Sequence, residues 1–472
     1  MFDARHWAEA QFGNASLGDA RRTSRLVKLA AEVAFQPAGL VTRACASTAS
    51  REGAFRLLEN PAVHPAAIRE AVTTGTVRAC RALRSVIVPL DGTSLRLTEG
   101  IRARGLGAVG SWAKGARGVQ VMTALALTPS GAPIGLCAQT MWMRTKRSPF
   151  GQRGACGKPS ENRVWLEQLG DMQSAFAEHA PDCRPWFQMD RGADCREVLG
   201  AAVARDLQVT VRAAHDRATD DDTRHLWAIL EQAPVVISRQ IQLVARPPSS
   251  KNKRTQGFRA RVFSAPRKPR LATVALRAAT VPIKCTSEKG RKYILPLNVV
   301  FVRESNRPPE DRVEWMLLTT HPIATPHDVL EVARAYALRW RIEDFHRLWK
   351  RGLCRVEDTQ LQSRDAICKW ATILAAVATR AMHLTHLARE TPDVPASTEL
   401  STYELAAVFA LRRPKGVDPN TIPSLGLAVR WIGEIGGHSG PWRGPPGATT
   451  VGRGLHDITI AARVFEFTDQ KR

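Results

Sequence analysis

The sequence predicts an α/β protein with helical ends, and three observations carry that prediction. Apolar residues recur at helical spacing over the first seventy or so positions, strand-like runs alternate with a helical pattern from about Ser85 to Val211, and the stretch between roughly Val235 and Thr320 reads as strand and loop alone. With 472 residues and 44% hydrophobic content the chain can bury a sizeable core, spread over two to four domains.

Taken in order, the N-terminal part places Leu26, Leu29, Ala30 and Val33 on one helical face behind the basic start LGDARRTSRL, with Asp19 as its N-cap. A second helix carries Ala54, Phe55 and Leu58. Arg21, Arg22 and Arg25 each read singly as solvated surface; as a group on a small helical module of a basic protein they make DNA phosphate the expected contact. Val86, Ile87, Val88 and Leu90 then form a short apolar run ending at Asp91-Gly92. Two further runs, Gly118 to Leu127 and Ile134 to Met143, flank the turn residues Thr128 to Ala132 and complete an antiparallel meander. Trp165, Leu169, Met172 and Phe176 mark a helix. Trp186 to Met189 leads into Asp190, and a helix with Val198, Leu199 and Ala202 connects it to Gln208–Val211 as a βαβ unit.

The next region contains RPPSSKNKRTQGFRARVFSAPRKPR and later strands near Ala272–Val281 and Leu295–Val302, and is expected to be a β insertion with a basic edge. The helical stretch Ala371 to Leu387, interrupted by Arg380 and His383, reads as a buried core helix rather than a membrane span. The last eighty residues are helix-prone and broken by GGHSGPWRGPPGA, which suggests a separate module.

Charge narrows the function. The chain has 68 Lys and Arg against 44 Asp and Glu, a formal charge of +24, and a polyanion is its natural partner. The basic residues are spread along the whole chain, unlike a membrane-surface helix or juxtamembrane block. The first residues lack an apolar signal-peptide core, so a cytoplasmic protein is expected. Nine cysteines without a CxxC pair point to reduced, buried residues and away from a zinc site or disulfide framework.

The segment YALRWRIEDFHRLWK holds the densest chemistry. As one continuous helix it gathers Tyr336, Arg339, Glu343 and Lys350 within an arc of roughly 60°, opposite Leu338, Ile342, Phe345 and Trp349. One carboxylate ringed by a phenol and two cations suits phosphate held beside a metal; the plainer alternative is an amphipathic surface helix with ion pairs one turn apart. Asp91 and Asp190, each expected at a strand end, would converge with Glu343 if their strands are neighbours and the helix packs on the sheet. Such a cluster repels itself unless divalent cations neutralise it, and Mg²⁺ suits a few carboxylates that leave positions for water and phosphate oxygens. An aspartate at a strand end is more commonly a loop cap or turn residue than a ligand.

The spacing of Tyr336, Arg339, Glu343 and Lys350 resembles the tyrosine–arginine–glutamate–lysine signature of DDE transposases of bacterial insertion sequences, in the insertion-sequence-four family. LGDARRTSRL and REGAFRLLENP resemble that family's N-terminal domain, LDGTSL and DRGAD its first and second aspartate segments, WMLLTTHP the approach to the third acidic residue, and RWIGEIGG part of its C-terminal domain. The likeness therefore runs through essentially the whole chain in order. It implies a ribonuclease-H-like catalytic core at 74–389 with a β insertion at about 215–325, a helical N-terminal DNA-binding domain at 1–73 and a helical dimerisation domain at 390–472. It implies Asp91, Asp190 and Glu343 as the catalytic, metal-binding triad for Mg²⁺, with Mn²⁺ able to substitute. Tyr336, Arg339 and Lys350 would hold DNA near the cleaved end, Trp315 would stack on a flipped base, and Trp340 and Arg212 would lie near the DNA end. The resemblance also implies double-stranded DNA as partner, both element end repeats and target, a homodimer in the synaptic complex, and a nucleoid-associated bacterial protein.

Departures from the family pattern are Gly92 after the first aspartate, Gly192 in DRGAD, and the prolines of the C-terminal loop. Pro89 costs the first strand a ladder donor and is expected to mark a bulge or an edge, or a decayed copy. The rival functions are a nuclease of the same fold without strand transfer, a catalytically silent DNA-binding inhibitor or relic, and a structural RNA-binding protein favoured by charge alone.

Overall fold

A computed structural model of the chain describes residues 4–97, 105–110, 116–143, 161–220, 224–243, 268–286, 290–309, 311–440 and 444–469. It divides into two compact units, Met1–Pro185 with Arg339–Arg472, and Trp186–Leu338.

The first unit opens with helices α1 (Ala4–Phe12), α2 (Ala20–Phe35), α3 (Val41–Ala44), α4 (Thr48–Glu59) and α5 (Pro65–Ala79). The Asp19 carboxylate caps α2 by accepting from the Arg21 backbone N–H at 2.8 Å, and Leu26, Leu29, Ala30 and Val33 are buried as their spacing requires. On α4, Ala54 and Leu58 are buried but Phe55 faces outward. Strands β1 (Ser85–Leu97), β2 (Gly107–Ala108), β3 (Arg117–Leu127) and β4 (Pro133–Trp142) follow, with β3 antiparallel to β1, β2 and β4. The expected meander is thus present. Helix α6 (Glu161–His179) buries Trp165, Leu169, Met172 and Phe176.

Two expectations about β1 need correction. Asp91 does not end the strand: β1 continues to Leu97, and Asp91 pairs with Thr123 in mid-strand. Pro89 marks no bulge on this side, since the register from Ile87–Leu127 to Leu90–Ala124 is unbroken; the irregularities lie on the far edge of β3, against β4. The unbroken register holds although Pro89 lacks an N–H to donate to the ladder.

The second unit contains β5 (Arg184–Met189), whose first two residues belong to the other unit, then α7 (Arg196–Ala204) and β6 (Gln208–Arg212), with β5 and β6 parallel as a βαβ unit demands. After α8 (Leu226–Gln232) come β7 (Val235–Leu243), β8 (Arg270–Thr286), β9 (Lys292–Glu304) and β10 (Glu314–Thr319), antiparallel in sequence, with β10 closing onto β6. Most of the basic stretch that begins at Arg246, through residue 267, lies outside the described residues, so the expected basic edge is not on view. Its last residue, Arg270, pairs with the buried Glu304 at 2.9 Å and with Asp311 at 3.2 Å.

Helix α9 (Pro326–Ala337) completes the second unit, and α10 (Arg341–Lys350), α11 (Arg364–Glu390), α12 (Thr402–Arg412), α13 (Leu425–Ile435) and α14 (Ala448–Asp469) belong to the first. Helix α11 is buried nearly all round, as a central helix with apolar residues on every face must be. Two of its cations have partners: Lys369 donates to the carbonyls of Leu58 and Asn60 at 2.7 and 2.9 Å, and Arg380 lies 3.8 Å from the buried Glu404, with burial drawing its pKa down to about 10. No described helix is long and apolar enough to cross a membrane. The eight described cysteines are free, and seven of them are buried.

Candidate active site

Helix α10 lies along β1 in the first unit. It is strongly amphipathic: Ile342, Phe345, Leu348 and Trp349 are buried, and the Trp349 indole N–H donates to the Ala371 carbonyl at 3.0 Å, fixing α10 to α11. Its other face meets the strand that carries Asp91. The His346 Nδ1 is 4.0 Å from an Asp91 carboxylate oxygen, and one turn further on the Lys350 ammonium donates to the Ser94 carbonyl at 2.6 Å and the Thr93 hydroxyl at 3.3 Å. Glu343 lies one turn before His346 on the same face. It accepts from the Arg339 guanidinium at 3.4 Å.

Burial sets the electrostatics. Desolvation pushes the Glu343 carboxyl above its ordinary range, only partly opposed by the Arg339 charge. Desolvation, helped by the Lys350 charge, draws His346 down to about 3, so the imidazole is neutral, and its Nε2 is buried without a partner. Lys350 is also shifted down by burial, against the opposing pull of Glu357 at 3.6 Å. A raised carboxyl, and an imidazole that turns Nδ1 to a second carboxylate while its buried Nε2 has no partner, make this corner poor for stability and suited to function. The sequence reading passed over His346, although its position three residues after Glu343 was the signal that could have found it.

The segment from Tyr336 to Lys350 is not one helix. A 3-10 turn at Leu338–Trp340 separates α9 from α10. Each 3-10 residue turns about 120° instead of 100°, so three of them rotate the face by roughly 60° and the four signature residues share no exposed stripe. Tyr336 is instead buried at 1% exposure in the second unit, its ring edge-on to Trp315 at 5.4 Å. Arg339 is 7% exposed, its guanidinium 5.4 Å over the Trp340 ring, and Trp340 itself is 52% exposed.

Asp190 lies in the second unit, just past β5, where its carboxylate caps a 3-10 turn by accepting from the Gly192 N–H at 2.8 Å. The nearby Asp194 has a purely structural setting. It is buried, accepts from the Ala214 and His215 backbone at 2.6 and 3.2 Å, and pairs with Arg217. Trp315 is half-buried on β10 against Leu243, Ala272 and Val313, and Arg212 at the end of β6 donates to the Glu314 carbonyl at 2.9 Å. On α2, Arg21 is almost fully exposed beside Asp19, Arg22 donates to the Leu17 carbonyl at 2.9 Å, and Arg25 covers Gly53, where a Cβ would meet its guanidinium carbon at 2.6 Å. Among the described residues no group of three or more His, Cys, Asp or Glu side chains is close enough to hold a metal ion.

Two family models match this chain. Residues 4–63 match the transposase DNA-binding family, and residues 143–379, half of the chain, match the transposase DDE domain, a stretch that includes Asp190 and Glu343. DNA is accordingly the polyanion that the basic composition demanded. The chain belongs to the DDE transposase family and is a DNA transposase with its own DNA-binding module.

Proposed function

We propose that the protein is a cut-and-paste transposase of the insertion-sequence-four kind, with a ribonuclease-H-like core, that binds its element's end repeats, cleaves them through a hairpin, and joins the freed 3′ ends to target DNA. The reading includes a homodimer in the synaptic complex and Asp91, Asp190 and Glu343 as the catalytic carboxylates. The observation that carries it is the half-buried Glu343 carboxyl, raised by desolvation, on a helix whose next turn presents His346 to Asp91.

The donors fit a hard divalent cation. Asp91 and Glu343 offer oxygen ligands only, and the desolvated Glu343 would be relieved by a neighbouring positive charge. Asp91 and Glu343 would hold Mg²⁺ or Mn²⁺ while leaving positions to water and phosphate, and Asp190 is the third carboxylate of the proposed set. The chemistry supplied by a cation held there would be a lowered pKa for an attacking water or 3′-hydroxyl and stabilised charge at phosphorus. The chain's own residues do the rest. Arg339 orients Glu343 through its guanidinium, and Lys350 clamps the Thr93–Ser94 segment two to three residues after Asp91, so strand and helix keep their spacing. Trp340, exposed and backed by Arg339, is a stacking surface for a base near the DNA end, while Trp315 would need to part from Tyr336 to receive one. Tyr336, Arg212 and the α2 arginines Arg21, Arg22 and Arg25 complete the proposed DNA contacts.

The test is incubation of the protein with a linear duplex bearing the element's terminal repeats, with and without Mg²⁺, resolved on a denaturing gel. Mg²⁺-dependent nicks and hairpins at the element boundary are expected. Nicks without joining of 3′ ends to a second duplex would reduce the protein to a nuclease, and retarded but uncut DNA would make it a binding protein.

A further inference from the structure

A cleft of about 590 Å³ opens in the first unit, away from the Asp91–His346 contact. Three stretches distant in sequence form its walls: the α2–α3 connection from Gln36 to Arg43, the segment that leaves α10 from Arg351 to Arg355, and the α14 residues Arg453, His456 and Asp457. It is lined by four guanidiniums, Arg43, Arg351, Arg355 and Arg453, against two carboxylates, Asp358 and Asp457. We infer that this cleft is a second binding site for the DNA sugar-phosphate backbone, separate from the carboxylate corner, joining the DNA-binding module to the end of the helix that carries Glu343.

The cations differ in how they are held. Arg351 and Arg355 are already paired, with Glu357 at 3.3 Å and Asp358 at 2.8 Å. Arg43 and Arg453 are exposed and have no ion pair or side-chain hydrogen bond among the described residues, so two guanidinium forks stand ready for phosphate oxygens. His456 adds a buried Nδ1 without a partner.

The floor of the cleft is built rigidly. The Gly39 carbonyl accepts from the Trp370 indole at 2.7 Å, and a Cβ on Gly39 would lie 2.0 Å from the Arg355 carbonyl oxygen, so only glycine allows this approach. Arg355 itself holds a left-handed backbone at φ 49°, a conformation that a non-glycine residue keeps only where its surroundings enforce it. The fixed floor sets where the cleft's arginines leave the backbone, and their exposed side chains order on binding. One wall, Gln36 to Arg43, falls within the residues that match the DNA-binding family.

This inference rests on the DNA-binding reading, and the experiment separates the two. Affinity of the full chain for an end-repeat duplex would be measured by fluorescence anisotropy over a range of salt, for wild type, Arg43→Gln/Arg453→Gln and Arg43→Lys/Arg453→Lys, with melting curves as a check on folding. Each lost phosphate contact flattens the log–log salt slope by about 0.9, so the Gln pair should flatten it by about 1.8 and the Lys pair should restore it. At about 0.1 M salt the Gln pair should bind tens-fold more weakly. An unchanged slope for the Gln pair, with wild type binding normally, would overturn the inference. If wild type binds inorganic phosphate in calorimetry and the Gln pair does not, yet the duplex slope is unchanged, the cleft takes a free anion and the inference also fails. Absence of duplex binding by wild type would instead bring down the transposase reading itself.

Discussion

The two aspartates of the proposed triad occupy opposite kinds of backbone. Asp91 sits in the middle of a thirteen-residue strand, paired across to Thr123, with its carboxylate facing a neutral, buried histidine. Asp190 sits just past a strand end and has its carboxylate engaged in capping the turn that follows. The first is held by tertiary packing of a helix on a strand. The second is held by a local hydrogen bond two residues long. Function can thus be built on a residue whose position is set far away in sequence, or added to one that already has a structural task, and substitutions should tell the two apart.

The largest effect is expected from the carboxylates themselves. Glu343→Ala and Asp91→Asn should lower cleavage by about 10³-fold or more, since several kcal/mol of charge stabilisation are lost, and leave duplex affinity within about twofold. Asp190→Asn sharpens the comparison because asparagine is an equally good cap. Melting should move little while cleavage falls as far as for Asp91→Asn; persistent cleavage would leave Asp190 a turn residue only.

Next in size is His346. Replacement by Phe preserves bulk and removes the nitrogen facing Asp91, and should cost about 10–100-fold in cleavage, as partners behind metal-binding groups typically do. The Mg²⁺ concentration for half-maximal cleavage should rise as well, a change that a packing defect alone would not produce. An unchanged metal dependence would break the contrast between a packed Asp91 and a capped Asp190.

Lys350→Met removes the bonds to Ser94 and Thr93 and the ion pair to Glu357 while keeping the stem. A loss of about 1.5–3 kcal/mol in urea unfolding is expected, the usual range for a hydrogen bond to a charged group.

The smallest effect has the opposite sign. Burial raises the Glu343 pKa, so the folded protein holds that proton more tightly than the unfolded chain, and stability falls as pH rises from the unfolded value through the folded one. Glu343→Gln, which the proposed triad makes inactive, should therefore raise the melting temperature slightly at neutral pH without metal and flatten that pH dependence. A fall in melting temperature would mean that the Arg339 pair outweighs desolvation.

Much of the molecule was legible from residue order. The α2 face, the Asp19 cap, the meander, the βαβ unit and the buried α11 all follow from spacing, turn residues and burial, which are local properties of a chain in water. The family signature was legible too, because it is a spacing. What spacing could not convey was the 3-10 turn at Leu338–Trp340: it changes the angle per residue without changing the residues, and so it buries Tyr336 and Arg339 where a uniform helix would have exposed them. His346 was likewise decided in three dimensions, since an imidazole in an amphipathic segment becomes a partner of Asp91 only when α10 lies along β1. The chain order set which groups could meet, through periodicity and charge; packing of distant segments set which of them do, because desolvation and contact depend on neighbours that sequence distance does not reveal.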